Sequence, residues 1–255
     1  MKCFYYLMVQ PLLMFGLINV LLPGAWCDSD NSYYYPSIES VGFIRRDSVP
    51  VSGTIHSSEY NQVMMGWNHV VYIQPNQDQI FKKNELYFVF QKVDEIFYDD
   101  RSMGFHYQIK GLVKISAMKP RFVQGIIVKS FLPIRKGDLL KPHTNMNPYI
   151  QISKEMPYIR AHIIESAETK RMIGEGDVVY IDKGHVNGVR SGNLFGIFEH
   201  QEKDFEMSRR AEFLDPSKDY ASGRLLILTT ERETAAGLIV WSKNELLMAH
   251  QLDVH

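Results

Sequence analysis

Short apolar runs separated by polar turns are the dominant pattern of this chain. Residues 178–181 and 194–198 are apolar, and the turn between them contains three glycines at four-residue spacing. Residues 70–73 and 86–90 show a similar pattern earlier in the chain. Runs of this length between Gly, Asn and Asp residues are typical of β-strands joined by tight connections. The pattern therefore predicts a mainly β protein.

In two of the predicted strands, the order of polar and apolar residues indicates whether each face of the strand is exposed or covered. Between residues 106 and 115, polar side chains, including His106 and Lys110, alternate with apolar ones. This alternation predicts an antiparallel strand with one wet face. Residues 86–90 are apolar on both faces, which predicts a strand that is central or covered on both sides.

The chain repeats itself at a nearly constant spacing. At an offset of 108 residues, matching positions keep the same residue, and after a four-residue insertion the offset becomes 112. The matches at offset 108 are Ile55/Ile163, Ser58/Ser166, Met64/Met172, Gly66/Gly174, residues 70–73/178–181, Leu86/Leu194 and Phe90/Phe198. The matches at offset 112 are Gly111/Gly223, Ile115/Ile227, residues 125–128/237–240, which differ only at Ile126/Leu238, and Ser130/Ser242. Matches in this order predict a tandem duplication.

The repeat divides the chain into five segments. They are a signal peptide at 1–27, a linker and lead-in segment at 28–52, β module copy one at 53–140, a linker at 141–157 and β module copy two at 158–255. Copy two also has a long, charge-rich hairpin at residues 201–222. Glycines such as Gly111 and Gly223 fall inside predicted strands and permit the sharp coiling that closes a small barrel. The predicted fold is a tandem duplication of a small antiparallel β-barrel-like module.

The first residues of the chain have the features of a secretory signal. Lys2 is the only charge before Asp28, an apolar segment spans residues 12–22, and small residues lie just before the expected cleavage site. This pattern predicts export with cleavage after Cys27. Two alternatives stay open: an uncleaved anchor, since residues 4–26 are long enough to span a membrane, and a lipoprotein modified at Cys27.

Charge and cysteine content narrow the class of protein. The formal net charge of the 255-residue chain is −1, which offers no basic field for nucleic acid. Cleavage after Cys27 would remove both cysteines and leave a chain without disulfides. We therefore expect a protein of the bacterial periplasm or cell envelope rather than a small disulfide-bonded extracellular module.

No residue pattern in the sequence points to catalysis, a metal or a cofactor. The nine histidines show no metal-ligand spacing, and serine-hydrolase, P-loop and dinucleotide motifs are missing. Residues 182–188 superficially resemble a calcium loop but fit a glycine turn better. Carboxylate pairs such as Asp99/Asp100 and Glu175/Asp177 lie in predicted hydrophilic turns. No catalytic, cofactor-binding or metal residue is therefore predicted, and the binding residues stay unknown.

Aromatic residues are the remaining candidates for ligand contact. Tyr33, Tyr34 and Tyr35 could stack on sugars, but tyrosines of a linker also pack readily on a neighbouring domain. Trp67 and Trp241 each adjoin a predicted strand, where core or inter-repeat packing explains them more simply. We therefore expect these aromatic residues to be packed.

The strand–turn–strand motif at residues 178–198 resembles the β module at the C-terminus of flagellar assembly protein T. Most of the chain after the signal is similar to exported envelope proteins of δ-proteobacteria, in which paired modules of this kind follow a LysM domain. This second resemblance is carried by Tyr-Tyr-Pro at 34–36, Gly-Phe-Ile at 42–44, Lys-Gly-Asp at 136–138, Gly-Arg-Leu-Leu-Ile-Leu at 223–228 and Thr-Ala-Ala-Gly-Leu-Ile-Val at 234–240. The resemblance implies a pair of β modules and an envelope location.

Two departures limit what the resemblance implies. The LysM domain, which is the peptidoglycan-binding part of that family, is expected before residue 36, where the signal and a short linker stand instead. Peptidoglycan binding is therefore not carried over to any residue. Residues 245–248 replace the closing Gly-Asp turn in copy two, so the last strand is expected to be frayed or docked elsewhere.

These observations predict a non-enzymatic exported protein that is a structural or binding component of the bacterial wall or of an envelope assembly. Two alternatives stay open: a cell-wall hydrolase with a site between the copies, and a self-associating flagellar or secretion scaffold. The expected partners are cell-envelope proteins or peptidoglycan, and no nucleic acid. A membrane is expected only if the signal is retained as an anchor, and a homo-oligomer is left open.

Overall fold

The structure is a computed structural model that describes residues 31–77, 79–153, 159–199, 221–248 and 252–254. The predicted signal peptide and most of the charged hairpin of copy two lie outside the described residues. Within the described ranges, the helical segments are 3-10 turns at Ile38–Ser40 and His185–Asn187, and all other regular elements are strands. The prediction of a mainly β protein with barrel-like modules is confirmed.

Seventeen strands lie in the described residues. In chain order they are β1 (Ser32–Tyr34), β2 (Phe43–Arg45), β3 (Gly53–Ser58), β4 (Val70–Pro75), β5 (Leu86–Tyr98), β6 (Arg101–Met118), β7 (Val123–Ser130), β8 (Leu139–Pro142), β9 (Tyr149–Gln151), β10 (Ala161–Ser166), β11 (Met172–Ile173), β12 (Val178–Ile181), β13 (Leu194–Glu199), β14 (Gly223–Thr230), β15 (Ala235–Ser242), β16 (Leu246–Leu247) and β17 (Leu252–Val254). The longest are β5 and β6, with 13 and 18 residues. Their far ends, residues 91–98 and 101–109, form a hairpin arm that extends beyond copy one.

The two modules have the same cyclic strand order. Copy two is a closed barrel with the order β10-β12-β15-β14-β13-β17. In copy one the order is β6-β5-β8-β3-β4-β7, β7 pairs back to β6, and β2 is added beside β6. Neighbouring strands are antiparallel in both sheets. Each strand of copy one therefore has a counterpart at the same place in copy two.

The pairing register repeats at the offsets found in the sequence. Val71 pairs with Gly125 in copy one, and Val179 pairs with Gly237 in copy two. β-Bulges occur at matching positions of β3 and β10. A shift of one residue would turn every side chain to the opposite face, so a shared register is a strict test of similarity. The internal repeat is thus present in the backbone pairing as well as in the sequence.

Each module has its own apolar interior, built mainly from branched and aromatic side chains. In copy one it consists of Ile55, Met65, Val71, Ile73, Phe81, Tyr87, Val89, Val113, Ile115, Val123, Ile127, Ile134 and Leu140. In copy two it consists of Ala161, Ile163, Ile173, Val179, Ile181, Val189, Phe195, Ile197, Leu225, Ile227, Ala235, Ile239 and Leu246. Burial of this apolar surface is the main favourable contribution to folding of each barrel.

The prediction of a wet face along residues 106–115 holds at Lys114, which is exposed, but is wrong at His106 and Lys110. His106 is 1% exposed and Lys110 is 4% exposed. The hairpin arm lies against copy two, so the polar face of this part of β6 is covered. Lys110 is the extra residue of a β-bulge, and its Nζ lies 2.7 Å from the buried Oδ2 of Asp138. The ion pair satisfies two charges that burial would otherwise strongly disfavour.

The structure confirms the prediction for residues 86–90 and contradicts the one for the last strand. Residues 86–90 lie between β6 and β8, and Tyr87 to Phe90 are buried on both faces, as predicted. The expectation of a frayed or displaced last strand is wrong, because β17 closes the second barrel. Val254 pairs with Ala161 and Ile197, the counterparts of the two residues that pair with Leu140 in copy one. Backbone pairing therefore completes the barrel without the Gly-Asp turn.

The lead-in segment and the linker are integrated into the sheets. β1 pairs with β9, which lies within the segment predicted as a linker. β2 pairs with residues 105–107 of β6. These pairings hold residues 32–45 against both the linker and the hairpin arm. The lead-in therefore has fixed contacts on either side.

Candidate functional sites at and near the module junction

The outer face of the second barrel is covered by three segments from outside it. The apolar cluster at this junction combines lead-in, hairpin-arm, linker and barrel residues: Ile38, Val41, Ile44, Ile96, Met103, Ile150, Tyr180, Leu226, Leu228, Ala236 and Leu238. All of these side chains are buried. The junction is therefore a further apolar core outside the two barrel interiors, and it explains why β12 and β14 are apolar on both faces.

A buried histidine and tyrosine lie at the centre of the junction. His106 Nε2 and the Tyr180 hydroxyl are 3.1 Å apart, with both side chains almost fully buried. Burial lowers the pKa of His106 to about 4, against a smaller opposing effect of Asp94. Burial also raises the pKa of Tyr180. Both groups are therefore neutral near pH 7, and the neutral imidazole and the hydroxyl satisfy each other across the junction.

Further polar contacts join the lead-in and the hairpin arm to copy two. The Thr234 hydroxyl donates to the Ile44 carbonyl at 2.6 Å, and this contact is buried. The Gln108 side-chain amide donates to the Ala167 carbonyl at 3.2 Å. Such bonds fix the register of the two modules, because an unmade buried hydrogen bond has a high energetic cost.

A cluster of three charges borders the same interface. Arg45 Nε lies 3.6 Å from Glu231 Oε2, and the Lys141 ammonium lies 4.1 Å from the centre of the Phe43 ring. Burial lowers the pKa of Lys141, and burial raises the pKa of Glu231 although both cations oppose that rise. The cluster carries opposite charges from copy two and from the segments around copy one, which favours the observed docking.

A cavity of about 220 Å³ opens at the junction, where a site between the two copies would lie. Its lining includes Tyr35 and the two carboxylates Glu168 and Asp177. Lys170 Nζ lies between these carboxylates, 3.1 Å from Glu168 and 2.7 Å from Asp177. The single ammonium pairs with both carboxylates and offsets one of their two negative charges, an arrangement that is typical of a surface ion-pair network.

The second oxygen of Asp177 has a structural role. Asp177 Oδ2 accepts the Gly174 N–H at 2.9 Å. In copy one, His69 Nδ1 accepts the Gly66 N–H at 3.2 Å, at the equivalent place. Two chemically different side chains therefore satisfy the same turn donor. This equivalence gives Asp177 a role in forming the turn.

A second cavity, of about 410 Å³, lies between the tip of the hairpin arm and copy two. Within it, Asp182 Oδ2 lies 3.1 Å from His162 Nδ1 and 2.6 Å from Lys183 Nζ. Asp182 Oδ1 accepts the His162 backbone N–H at 2.7 Å, and the Tyr98 ring stacks on the imidazole at 5.1 Å. The carboxylate can orient the imidazole, but its bond to the His162 backbone also makes it part of the β10–β12 connection.

Residues 182–188 form the predicted turn. The Asn187 side-chain oxygen accepts the Gly184 N–H at 3.1 Å, and Gly188 has φ of 91°. A side chain at Gly184 would meet the backbone oxygens of Glu231 and Arg232. The turn interpretation of this segment is confirmed. Among the described residues, no group of three or more metal-ligating side chains is close enough to hold an ion.

The aromatic candidates are divided between packed and exposed positions. Tyr35 packs against the junction cluster, and the Tyr34 ring lies 4.9 Å from that of Tyr149. The packing expectation for the tryptophans is wrong, because Trp67 is 72% exposed and Trp241 is 42% exposed. Trp67 belongs to a loop of copy one in which several other apolar side chains are also exposed.

The sequence pattern did not predict the contact between His106 and Tyr180. His106 lies on the polar face of an alternating strand, which gives no sign of a covering module. A usable signal is the run from Leu225 to Leu228, which is apolar on both faces although an isolated barrel needs only one apolar face. The outward members of such a run indicate a partner surface.

No protein-family model matches the chain, and no curated protein sequence matches it significantly. In the described part of the chain, no helix is long and apolar enough to cross a membrane.

Proposed function

We propose that this protein is a non-enzymatic, exported component of a bacterial cell envelope, in which two β modules form one rigid unit that presents binding surfaces. The observation that carries the proposal is the junction between the modules. Its apolar cluster is buried, and its polar groups are used in contacts that join the modules. A junction of this kind holds two surfaces at a fixed separation.

The envelope location is proposed from the sequence. The N-terminal pattern favours export, and the motifs at residues 34–44 and 223–240 resemble envelope proteins with paired modules. The same resemblance suggests wall or appendage components as partners. Direct peptidoglycan binding is not assigned to any residue of the chain.

Cell fractionation and intact mass test the proposal together. We expect the full chain, expressed in a Gram-negative bacterium, to be recovered from the periplasm or envelope with residues 1–27 removed. Crosslinking before lysis should then recover a defined wall, outer-membrane or appendage component. A chain of full mass in the cytoplasm, or recovery of none of those components, would contradict the proposal.

The cavity at the junction is the observation that favours a wall hydrolase as the second candidate. It is lined by Glu168 and Asp177, which are the carboxylate pair that such an enzyme would require. Hydrolysis of purified peptidoglycan that is abolished by Glu168→Gln would favour this candidate. The turn contact of Asp177 and the shared ion pair with Lys170 make it the weaker one.

A further inference from the structure

The loop at residues 59–69 of copy one, between β3 and β4, presents large apolar side chains to solvent. Tyr60, Val63 and Trp67 are 78%, 80% and 72% exposed. Between them, Met65 is buried and exchanges two backbone hydrogen bonds with Ile134, at 2.7 and 2.9 Å. The loop backbone is therefore fixed, and its apolar side chains point away from the core.

Copy two builds the same loop frame. Ser58 Oγ accepts the Gln62 N–H at 2.7 Å, and Ser166 Oγ accepts the Lys170 N–H at 2.6 Å. Each loop also has one residue with φ of 56°, which is Asn61 in copy one and Thr169 in copy two. Each has one buried apolar residue that anchors it, which is Met65 in copy one and Ile173 in copy two. The chain therefore provides an internal comparison of two loops with one backbone design.

The exposed positions of the two loops differ in chemistry. The counterparts of Tyr60, Val63 and Trp67 are Glu168, Arg171 and Glu175. Charged residues are thus compatible with this frame, so folding does not require apolar residues at these positions. Isolated exposed apolar residues are common, but a cluster of them on one loop is typical of an interaction surface.

The surroundings of the loop indicate the kind of partner. Arg135 and Lys136 are exposed and follow Ile134, which pairs with Met65 at the base of the loop. The loop itself contains one acidic residue, Glu59. Exposed Trp and Tyr beside Lys and Arg match the interface of an anionic lipid bilayer, where aromatic rings lie at headgroup level. A loop that protrudes suits insertion better than it suits binding of a small ligand.

We propose that the 59–69 loop docks on a bilayer containing anionic phospholipid. Tyr60, Val63 and Trp67 enter the boundary between headgroups and acyl chains, and Arg135 and Lys136 contact the headgroup phosphates. This contact needs no transmembrane anchor. It does not depend on the proposed envelope function, because the argument uses only the loop and its counterpart.

The test is vesicle flotation of the full chain with phosphatidylcholine vesicles, with and without phosphatidylglycerol. We expect binding that requires phosphatidylglycerol and that falls roughly tenfold in Trp67→Ser, because one buried aromatic anchor is lost. Trp241→Ser is the matched control, since it removes an exposed tryptophan of copy two and should leave binding unchanged. Arg135→Gln with Lys136→Gln should weaken binding to the vesicles that contain phosphatidylglycerol.

Three results would overturn the proposal. The first is a folded wild-type chain that binds neither kind of vesicle. The second is equal loss of binding in Trp67→Ser and Trp241→Ser. The third is a chain that self-associates but binds no vesicle, and whose self-association is lost in the triple variant Tyr60→Glu, Val63→Arg and Trp67→Glu. That result would make a second copy of the chain the partner of the loop. Far-UV circular dichroism of every variant confirms that the barrels are folded.

Discussion

At the scale of single residues, the most informative group is the imidazole of His106. It is held neutral in a junction that is almost free of solvent, 3.1 Å from the Tyr180 hydroxyl. Its pKa in the folded chain, about 4, is below the ordinary value of 6.5. Below pH 6.5 the unfolded chain therefore binds a proton at this position that the folded chain does not bind until about pH 4.

We expect the free energy of unfolding to fall by about 3 kcal/mol between pH 6.5 and pH 4 on account of His106 alone. Urea unfolding at a series of pH values measures this dependence. In His106→Gln the free energy of unfolding should differ between pH 6.5 and pH 4 by that much less than in the wild type, since the other titrating groups are unchanged. His56→Gln, at an exposed position of β3, is the control. An identical pH dependence in wild type and His106→Gln would contradict the assignment.

The residue scale also shows why the junction escaped prediction from sequence. His106 and Lys110 alternate with apolar residues, and this pattern is the same whether the polar face meets water or another module. Without a catalytic or metal-binding motif, the sequence offered no residue from which the position of a functional site could be predicted. Trp67 was expected to pack because it adjoins a strand, although its exposure is set by a loop whose conformation the pattern does not specify.

At the scale of elements, most of the fold could be predicted. The repeat at offsets of 108 and 112 correctly indicated two equivalent barrels, since inward positions must keep their type for a barrel to close. The closing strand β17 was not predicted, because backbone pairing holds it in place and the Gly-Asp turn of copy one is not needed. The extension of the hairpin arm beyond the barrel was not predicted, because strand length beyond a barrel leaves no periodic signal.

The glycines within strands offer a test at this scale. A Cβ at Gly111 in β6 would fall on the backbone oxygen of Lys129 in β7, which cannot move without opening the sheet. At Gly174, the nearest atom to an added Cβ is Ser242 Oγ at 3.7 Å, an ordinary contact. We expect Gly111→Ala to reduce the free energy of unfolding by about 1–3 kcal/mol, and Gly174→Ala to have a much smaller effect. Equal effects in chemical denaturation would contradict this account of the coiled strands.

At the scale of the whole molecule, the central claim is that the two modules behave as one rigid body. The lead-in, the linker and the hairpin arm all contribute to one buried cluster on the outside of the second barrel. Gly42 lies within the junction, where a side chain would meet the Tyr107 carbonyl and the Tyr180 hydroxyl. A larger residue at this position should therefore separate the modules without disturbing either barrel interior.

Electron spin resonance distance measurement tests this claim most directly. Spin labels would be placed at Lys114→Cys in copy one and Arg224→Cys in copy two, both exposed, in a chain with Cys3 and Cys27 changed to serine. We predict one narrow distance distribution for this protein, and a broad one when Gly42→Leu is added. A broad or multiple distribution without Gly42→Leu would contradict the claim that the junction fixes the two modules.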